Sequence, residues 1–319
     1  MNVNRDIAGR FVGLLAGIGI LASGWAQAPD PAVPAPMIER NEAQKVSDHV
    51  YVILDKNRSF VPNIGIIVGD RATLVIDTGL GLPNGEIVLE EAKKLSTNDE
   101  LYIVSTHYHS EHDLGAGAFP ATATMIRSRD QQQDLDEFRL SHAERFSSMS
   151  ATMAGLLVGA DYRQADVYFE DEYSLDLGGV TVQMYAVGPA HTRGDTVFLV
   201  EQDGVLFAGD VAMRRYPRLA SPTSGVRVWL EALQAIASLP VELVVPSHGP
   251  MGDASVIEKN AEFFSLLQSR AAELKARGRS EDEVAELLTT ELAPSFSDWA
   301  SEGIERISPA ARVAFAEIR

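Results

Sequence analysis

Four short apolar runs in this chain each give way to a histidine or an acid: LYIVSTHYHSEHD (101–113), VTVQMYAVGPAH (180–191), GVLFAGD (204–210) and VELVVPSHG (241–249). A short apolar run bounded by turn signals reads as a buried strand. Strands of this kind need a sheet, and a sheet aligns their ends, so polar residues far apart along the chain can meet at one edge. Side chains on loops anchored by a rigid sheet are what a preorganised site requires.

Within 105–113, STHYHSEHD, stand three of the chain's seven histidines together with Glu111 and Asp113. In an extended segment residues i and i+2 point to one side. His107 and His109 can therefore aim two imidazoles at one point, and Glu111 and His112 follow once the chain has turned. Buried separately, each of these groups needs its own hydrogen-bond partner. A cation such as zinc satisfies several at once through imidazole nitrogen and carboxylate oxygen. An exposed polar loop is the competing reading of this segment taken alone. His191, Asp210 and His248, each just beyond another strand, extend the set, and five of the seven histidines then fall into one scheme.

Cysteine is absent, so there is no disulfide, no thiolate nucleophile and no metal ligand beyond His, Asp and Glu. The formal charge of −18 and pI near 4.8 repel phosphate backbones and anionic headgroups, which argues against a nucleic-acid partner and for a small-molecule substrate.

The remaining candidates have structural readings. His49 begins a strand remote from the motifs. His142, in SHAERF, reads as a surface histidine on a helix rather than a substrate contact. Tyr108 alternates away from the cluster, and Thr192 and Asp195 read as braces of the His191 loop. Met149, Met153, Leu156 and Leu157 read as helix packing.

Arg5 and Arg10 precede the apolar run FVGLLAGIGILASGWA and the small-x-small triplet Ala26-Gln27-Ala28. The run is shorter than the roughly 20 residues of a spanning helix. Residues 1–28 thus read as a cleavable export signal, which implies a periplasmic or secreted protein with no stable membrane anchor. Residues 29–44 read as a proline-rich disordered segment.

HVYVILD (49–55), NIGIIVGD (63–70) and ATLVIDTG (72–79) read as the opening strands, GEIVLEEAKKL (85–95) as a helix and TATMI (122–126) as a further strand. Positions 127–160 read as helices, either a wall over the site or plain surface. DVYFE (166–170) and TVFLVEQ (196–202) add strands, and VRVWLEALQAI adds a helix with Leu230, Leu233 and Ile236 on one face. From Ile257 to Leu274 a 3–4 spacing marks a buried helical stripe, and two further helices cover Glu281–Leu292 and Pro309–Ile318. The pattern predicts two packed sheets with helices outside, forming one α/β domain over 45–319 with C-terminal helices from about residue 254.

LVIDTG, THYHSEHD, GPAHTRGDT, LFAGD and PSHGP, in this order and at these intervals, resemble the metallo-β-lactamase superfamily over residues 45–250 or so. The resemblance implies a four-layer αβ/βα sandwich with metals at one edge between the sheets. It implies His107, His109 and His191 as ligands of a first metal, His112 and His248 as ligands of a second, Asp210 as the bridging carboxylate and Asp77 as a supporting acid. The family's first motif normally reads HxHxDH, and Glu111 stands here at the acidic position. Its extra methylene leaves three roles open: metal ligand, base that orients water, or a residue that weakens the second site. Ser247 replaces a glycine usual before the last histidine.

The implied activity is that of a zinc hydrolase, with one or two zinc ions per chain. A metal-bound hydroxide would open a cyclic amide or ester, with Glu111 and Asp210 as catalytic carboxylates. Export places the chain where β-lactams act and argues against cytosolic glutathione thioesters, so β-lactam hydrolysis is the leading specific expectation. Asp210 weighs the other way, because β-lactam-dedicated members more often carry cysteine or serine there. An exported lactonase or thioesterase is the alternative, and a non-catalytic metal-binding protein a second.

Overall fold

The structure, a computed structural model, describes residues 34–299 and 303–318. The export signal expected at 1–28 lies outside the described residues. The strands are β1 (Ala43–Lys45), β2 (Val50–Ile53), β3 (Ile64–Val68), β4 (Ala72–Ile76), β5 (Glu100–Val104), β6 (Thr124–Ser128), β7 (Val167–Phe169), β8 (Glu172–Asp176), β9 (Thr181–Ala186), β10 (Thr196–Val200), β11 (Val205–Gly209) and β12 (Leu243–Pro246). The helices are α1 (Gly81–Leu95), α2 (Ser110–Asp113), α3 (Arg129–Met149), α4 (Ala151–Leu156), α5 (Val226–Ala237), α6 (Ser255–Ala276), α7 (Glu281–Ser295) and α8 (Ile307–Glu317).

One sheet runs in the order β1-β2-β3-β4-β5-β6-β7 and the other β12-β11-β10-β9-β8. Alternation along the strands assigns each face. Leu74 and Ile76 of β4 point between the sheets and meet Phe198, Val200, Val205 and Phe207 of the second sheet. Val75 points the other way, joining Ile64 and Ile66 of β3 against Ile87 and Val88 of α1. In the second sheet Val197, Leu199, Leu206 and Ala208 face outward onto Trp229 and Leu233 of α5 and Phe263, Phe264 and Leu267 of α6. Helix, sheet, sheet and helix make the four layers, with α6, α7 and α8 as an added C-terminal helical unit. Trp229 and Phe264 hold it to the sandwich with ring centroids 4.8 Å apart.

Two expectations differ from the structure. Within the segment read as disordered over 29–44, the part described from residue 34 is packed. Ile38 is buried, the Met37 and Ile38 amides donate to Asn84 Oδ1 at 2.7 and 2.9 Å, and β1 pairs antiparallel with β2. Prolines disfavour a helix but not an extended chain that finds backbone partners. EYSLD at 172–176, unassigned from sequence, is the edge strand β8, which buries only Leu175 fully and so carries a weak pattern. Among the described residues no helix is long and apolar enough to cross a membrane.

The sheets approach closely at Gly65, where a Cβ would lie 2.5 Å from the Phe207 ring. Phe207 is buried and has no room to retreat. Gly65→Val is therefore expected to cost about 1–3 kcal/mol through overpacking, read as a lowered thermal midpoint. An unchanged midpoint would show that the interlayer space is looser than described.

Candidate metal centre

The centre is assembled from five chain segments at one edge of the sandwich. After β4 the chain turns at Asp77, whose φ of +63° lies in the left-handed region that aspartate and asparagine tolerate best among side-chain-bearing residues. The turn drives a fully buried carboxylate under the next strand's loop. Asp77 Oδ1 accepts the Thr106 amide at 2.7 Å, and Oδ2 lies 2.8 Å from His112 Nδ1. Ser247, in the position where glycine is usual, donates toward Oδ2 at 3.4 Å.

His107 and His109 leave β5 on one side, as alternation requires. His107 Nε2 is 3.0 Å from His109 Nδ1, and His191 Nε2 is 3.3 Å from that same nitrogen. A single ring nitrogen cannot serve two neighbours of this kind through protons alone. Three nitrogens at 2.0–2.1 Å from a tetrahedral zinc stand about 3.3 Å apart, which is close to the spacing seen. Around them lie Asp210, Glu111, His112 and His248: the groups His107–His112–Asp210 and Glu111–His112–His248 each have donor atoms within 4.8 Å of one another. All seven candidate ligands are thus brought together. Glu111 keeps its reach toward His112 and His248 despite the longer side chain.

The outer nitrogens show how the rings are held. His191 Nδ1 faces the Arg218 carbonyl at 2.7 Å, His248 Nδ1 faces the Val61 carbonyl at 3.1 Å, and His112 Nδ1 faces Asp77. Each partner is an acceptor, so Nδ1 carries the proton and Nε2 turns a lone pair inward, the arrangement that orients metal-ligating histidines. Inside, His112 Nε2, Glu111 Oε2 and Asp210 Oδ1 are buried with no hydrogen-bond partner among the described residues. Each such group costs about 1–3 kcal/mol if nothing binds it. A divalent cation fits this donor set of imidazole and carboxylate.

The charge states agree. Burial and the neighbouring imidazoles hold His107 and His109 well below the usual histidine value. Burial takes His191 down to about 4 and lowers His248. Neutral imidazole is the form that binds metal. For His112, burial works against a proton, but Asp77, Glu111 and Asp210 outweigh it and raise the group to about 9. Surroundings that favour a proton at Nε2 favour a metal cation in its place. Burial pushes Glu111 up. Burial would also raise Asp210, but His191, His248 and His112 hold it below its ordinary value.

A second layer of contacts fixes the loops. Arg127 and Asp113 form a fully buried ion pair at 2.6 Å directly behind His112. Thr192 donates its amide and hydroxyl to Asp195, closing the His191 loop as expected. The Thr196 amide donates to the Thr106 carbonyl, tying the two sheets at the site. Tyr108 packs away from the centre with Leu114, Leu135 and Tyr162. His49 stands apart and pairs with Asp203 at 2.7 Å.

His142 corrects the surface reading. It is buried, and its ring stacks on His109 with centroids 4.2 Å apart and planes 6° off parallel. Its Nδ1 meets the Ser110 hydroxyl at 2.9 Å, which in turn meets Tyr162. Leu135, His142 and Phe146 share one face of α3, and that spacing was the available signal. α3 is thus a wall of the site rather than plain surface. Sequence reading also missed Phe60, Met213, Arg215, Arg218 and Arg306, which with His109, Glu111, His191, Asp210 and His248 line a cavity of about 140 Å³ over the centre.

Removing Arg127 strands a buried carboxylate. Arg127→Met is expected to cost about 3–5 kcal/mol and to lower metal content, measured by thermal melting beside metal analysis; unchanged values for both would dismiss the pair as a support. After chelation the histidines set a second dependence. Those with lowered values (His107, His109, His142, His191, His248) resist protonation in the folded chain, while the unfolded chain titrates near 6.5. Stability from them is present above pH 6.5 and lost as pH falls toward about 4, the His191 value. His112, Glu111, Asp134 and Asp195 oppose this with raised values, but the five histidines outnumber them. The metal-depleted protein is expected to melt lower at pH 5 than at pH 7.5, and the reverse order would contradict the assigned charge states.

Comparison with known proteins follows the same lines. The family model described as "Metallo-beta-lactamase superfamily" matches residues 58–248. An "Atrochrysone carboxyl ACP thioesterase" of Aspergillus terreus is 22% identical over 277 residues, covering 82% of this chain and 70% of the relative. The human "Acyl-coenzyme A thioesterase MBLAC2" is 27% identical over 161 residues, covering 47% of this chain and 57% of its own length. Among solved structures, the sec-alkylsulfatase Pisa1 from Pseudomonas sp. superposes with a TM-score of 0.67 at 14% identity, over 86% of this chain and 49% of that one. A metallo-beta-lactamase from Pontibacter korlensis does so at 0.56 and 21% identity, over 70% of this chain and 98% of that one. Further atrochrysone carboxyl ACP thioesterases are spanned over 58% and 44% of their length. The chain belongs to the metallo-β-lactamase superfamily.

Proposed function

We propose that this protein is an exported zinc hydrolase of the thioesterase and lactonase type rather than a dedicated β-lactamase. The observation that carries the reading is the all-histidine-and-carboxylate donor set, with Asp210 set between His191 and His248 at 3.4 and 3.9 Å. Relatives named thioesterases support it, and no cysteine is present to make the β-lactam-type second site. Export remains the reading of residues 1–28.

His107, His109 and His191 would hold one zinc ion, and His112, His248 and Asp210 a second. Bound there, zinc supplies a Lewis acid that polarises a carbonyl and lowers the pKa of water to about 7. The chain's own residues set the geometry. Asp77 and the two backbone carbonyls fix the rings. Asp210 presents its two oxygens to histidines on either side. Glu111 keeps an unpaired Oε2 in the cavity wall, placed to take or return a proton during acyl transfer. Phe60 and Met213 make the apolar side of the cavity.

The test is a purified, zinc-quantified sample run against acyl thioesters, lactones and nitrocefin. Thioester or lactone kcat/KM is expected to exceed that for nitrocefin by about 100-fold, or about 2.7 kcal/mol of transition-state stabilisation. The opposite order would restore the β-lactamase reading, and zinc uptake without any turnover would favour a binding protein. Glu111→Gln is expected to lower kcat by about 100-fold or more while zinc remains bound; an unaltered kcat removes Glu111 from proton transfer.

A further inference from the structure

The cavity over the centre is cationic in a chain whose net charge is −18. Arg215, Arg218 and Arg306 line it beside His109, Glu111, His191, Asp210 and His248. Arg218 and Arg306 also line an adjoining cavity of about 360 Å³, joined there by Arg145 from α3. Two cavities that share Arg218 and Arg306 therefore carry four guanidinium groups between them, brought in by three separate parts of the chain.

Their own partners are few. Arg215 is mostly buried and lies 3.6 Å from Asp55, but its Nε is buried without a partner. Arg306 gives one bond to the Tyr216 carbonyl at 3.2 Å. Among the described residues no carboxylate lies within 4.0 Å of Arg145, Arg218 or Arg306, whereas most other arginines on this acidic surface are so paired. The carboxylates facing the opening are Glu111 and Asp210 on its floor and Glu305 at its rim. Like charges held close with no carboxylate in direct contact cost energy unless something anionic neutralises them. A small anion would gain charge-assisted, forked hydrogen bonds from these groups. The overall negative charge disfavours an extended polyanion such as a nucleic acid, so an anionic group on a small substrate is the fit.

We propose that Arg215, Arg218 and Arg306 form an anion subsite beside the metal centre, selecting acyl substrates that carry a carboxylate or phosphate near the scissile carbonyl. The proposal rests on the hydrolase reading above and names its substrate class. The anion can belong to the acyl group or to the leaving group, and the test separates the two.

Zinc-loaded protein would be given glutaryl and pentanoyl thioesters of N-acetylcysteamine, and pentanoyl-CoA. Glutaryl over pentanoyl reports an acyl-side carboxylate; pentanoyl-CoA over pentanoyl-N-acetylcysteamine reports leaving-group phosphates. At least one ratio of kcat/KM is expected to reach about tenfold, the scale of one hydrogen bond to a charged group. Arg306→Gln and Arg218→Gln should each pull that ratio down, with Arg218→Lys keeping part of it. The Arg218 carbonyl holds His191, so zinc content is measured in every variant. Arg306 lies on a different element from every candidate ligand. Ratios near one in the unaltered protein, or equal losses on charged and neutral substrates, would overturn the subsite. Calorimetry with monomethyl glutarate decides the matter independently of turnover. Binding about tenfold weaker in Arg306→Gln supports it, equal binding sinks it, and absent thioester hydrolysis would fall on the hydrolase reading alone.

Discussion

The centre depends on where the second nitrogen of each imidazole goes. A histidine can present a lone pair to a cation only if its other nitrogen is committed, and the fold commits it with acceptors: Asp77 for His112, Arg218 carbonyl for His191, Val61 carbonyl for His248. Asp77 matters most, because the same carboxylate also takes the Thr106 amide and so sets the start of the histidine loop. Its left-handed backbone is a conformation that most residues resist, and the polar partners around it hold it there.

The sandwich exists, in functional terms, to keep these acceptors still. The interlayer contacts of Phe207, Phe198 and Ile76 lock the sheets. Cross-links such as Thr196 to Thr106 and Ser247 to Gly209 then tie the strand ends at the edge where the ligands emerge. α3 closes one side by stacking His142 on His109, and the C-terminal helical unit contributes Arg306 to the other. Catalytic chemistry sits at the edge because that is where a packed interior stops and buried polar groups can still meet a substrate.

Legibility in the sequence was uneven for identifiable reasons. Strands β2 to β6 and β9 to β12 are strongly apolar, and α5 and α6 carry clear stripes, so their patterns survive without tertiary help. β8 buries one residue fully and β1 none, so neither has a pattern strong enough to read. The ligands were legible because His, Asp and Glu stood just past strand ends. His142 was not, because a polar residue on a polar helix looks exposed until the neighbour that covers it is known. The arginines of RRYPR stood in view after LFAGDVAM, but their convergence with Arg306, about ninety positions away, was not.

By itself the sequence determined the order of the strongly patterned strands and helices, the residue types offered as ligands and the exclusion of thiolate chemistry, because these follow from local periodicity and composition. Tertiary structure alone decided which nitrogen of each histidine faces inward, that Glu111 still reaches the second group of ligands, and that the opening is lined by arginines. Those facts depend on distances between segments far apart along the chain, and only the packing of one sheet on the other sets them.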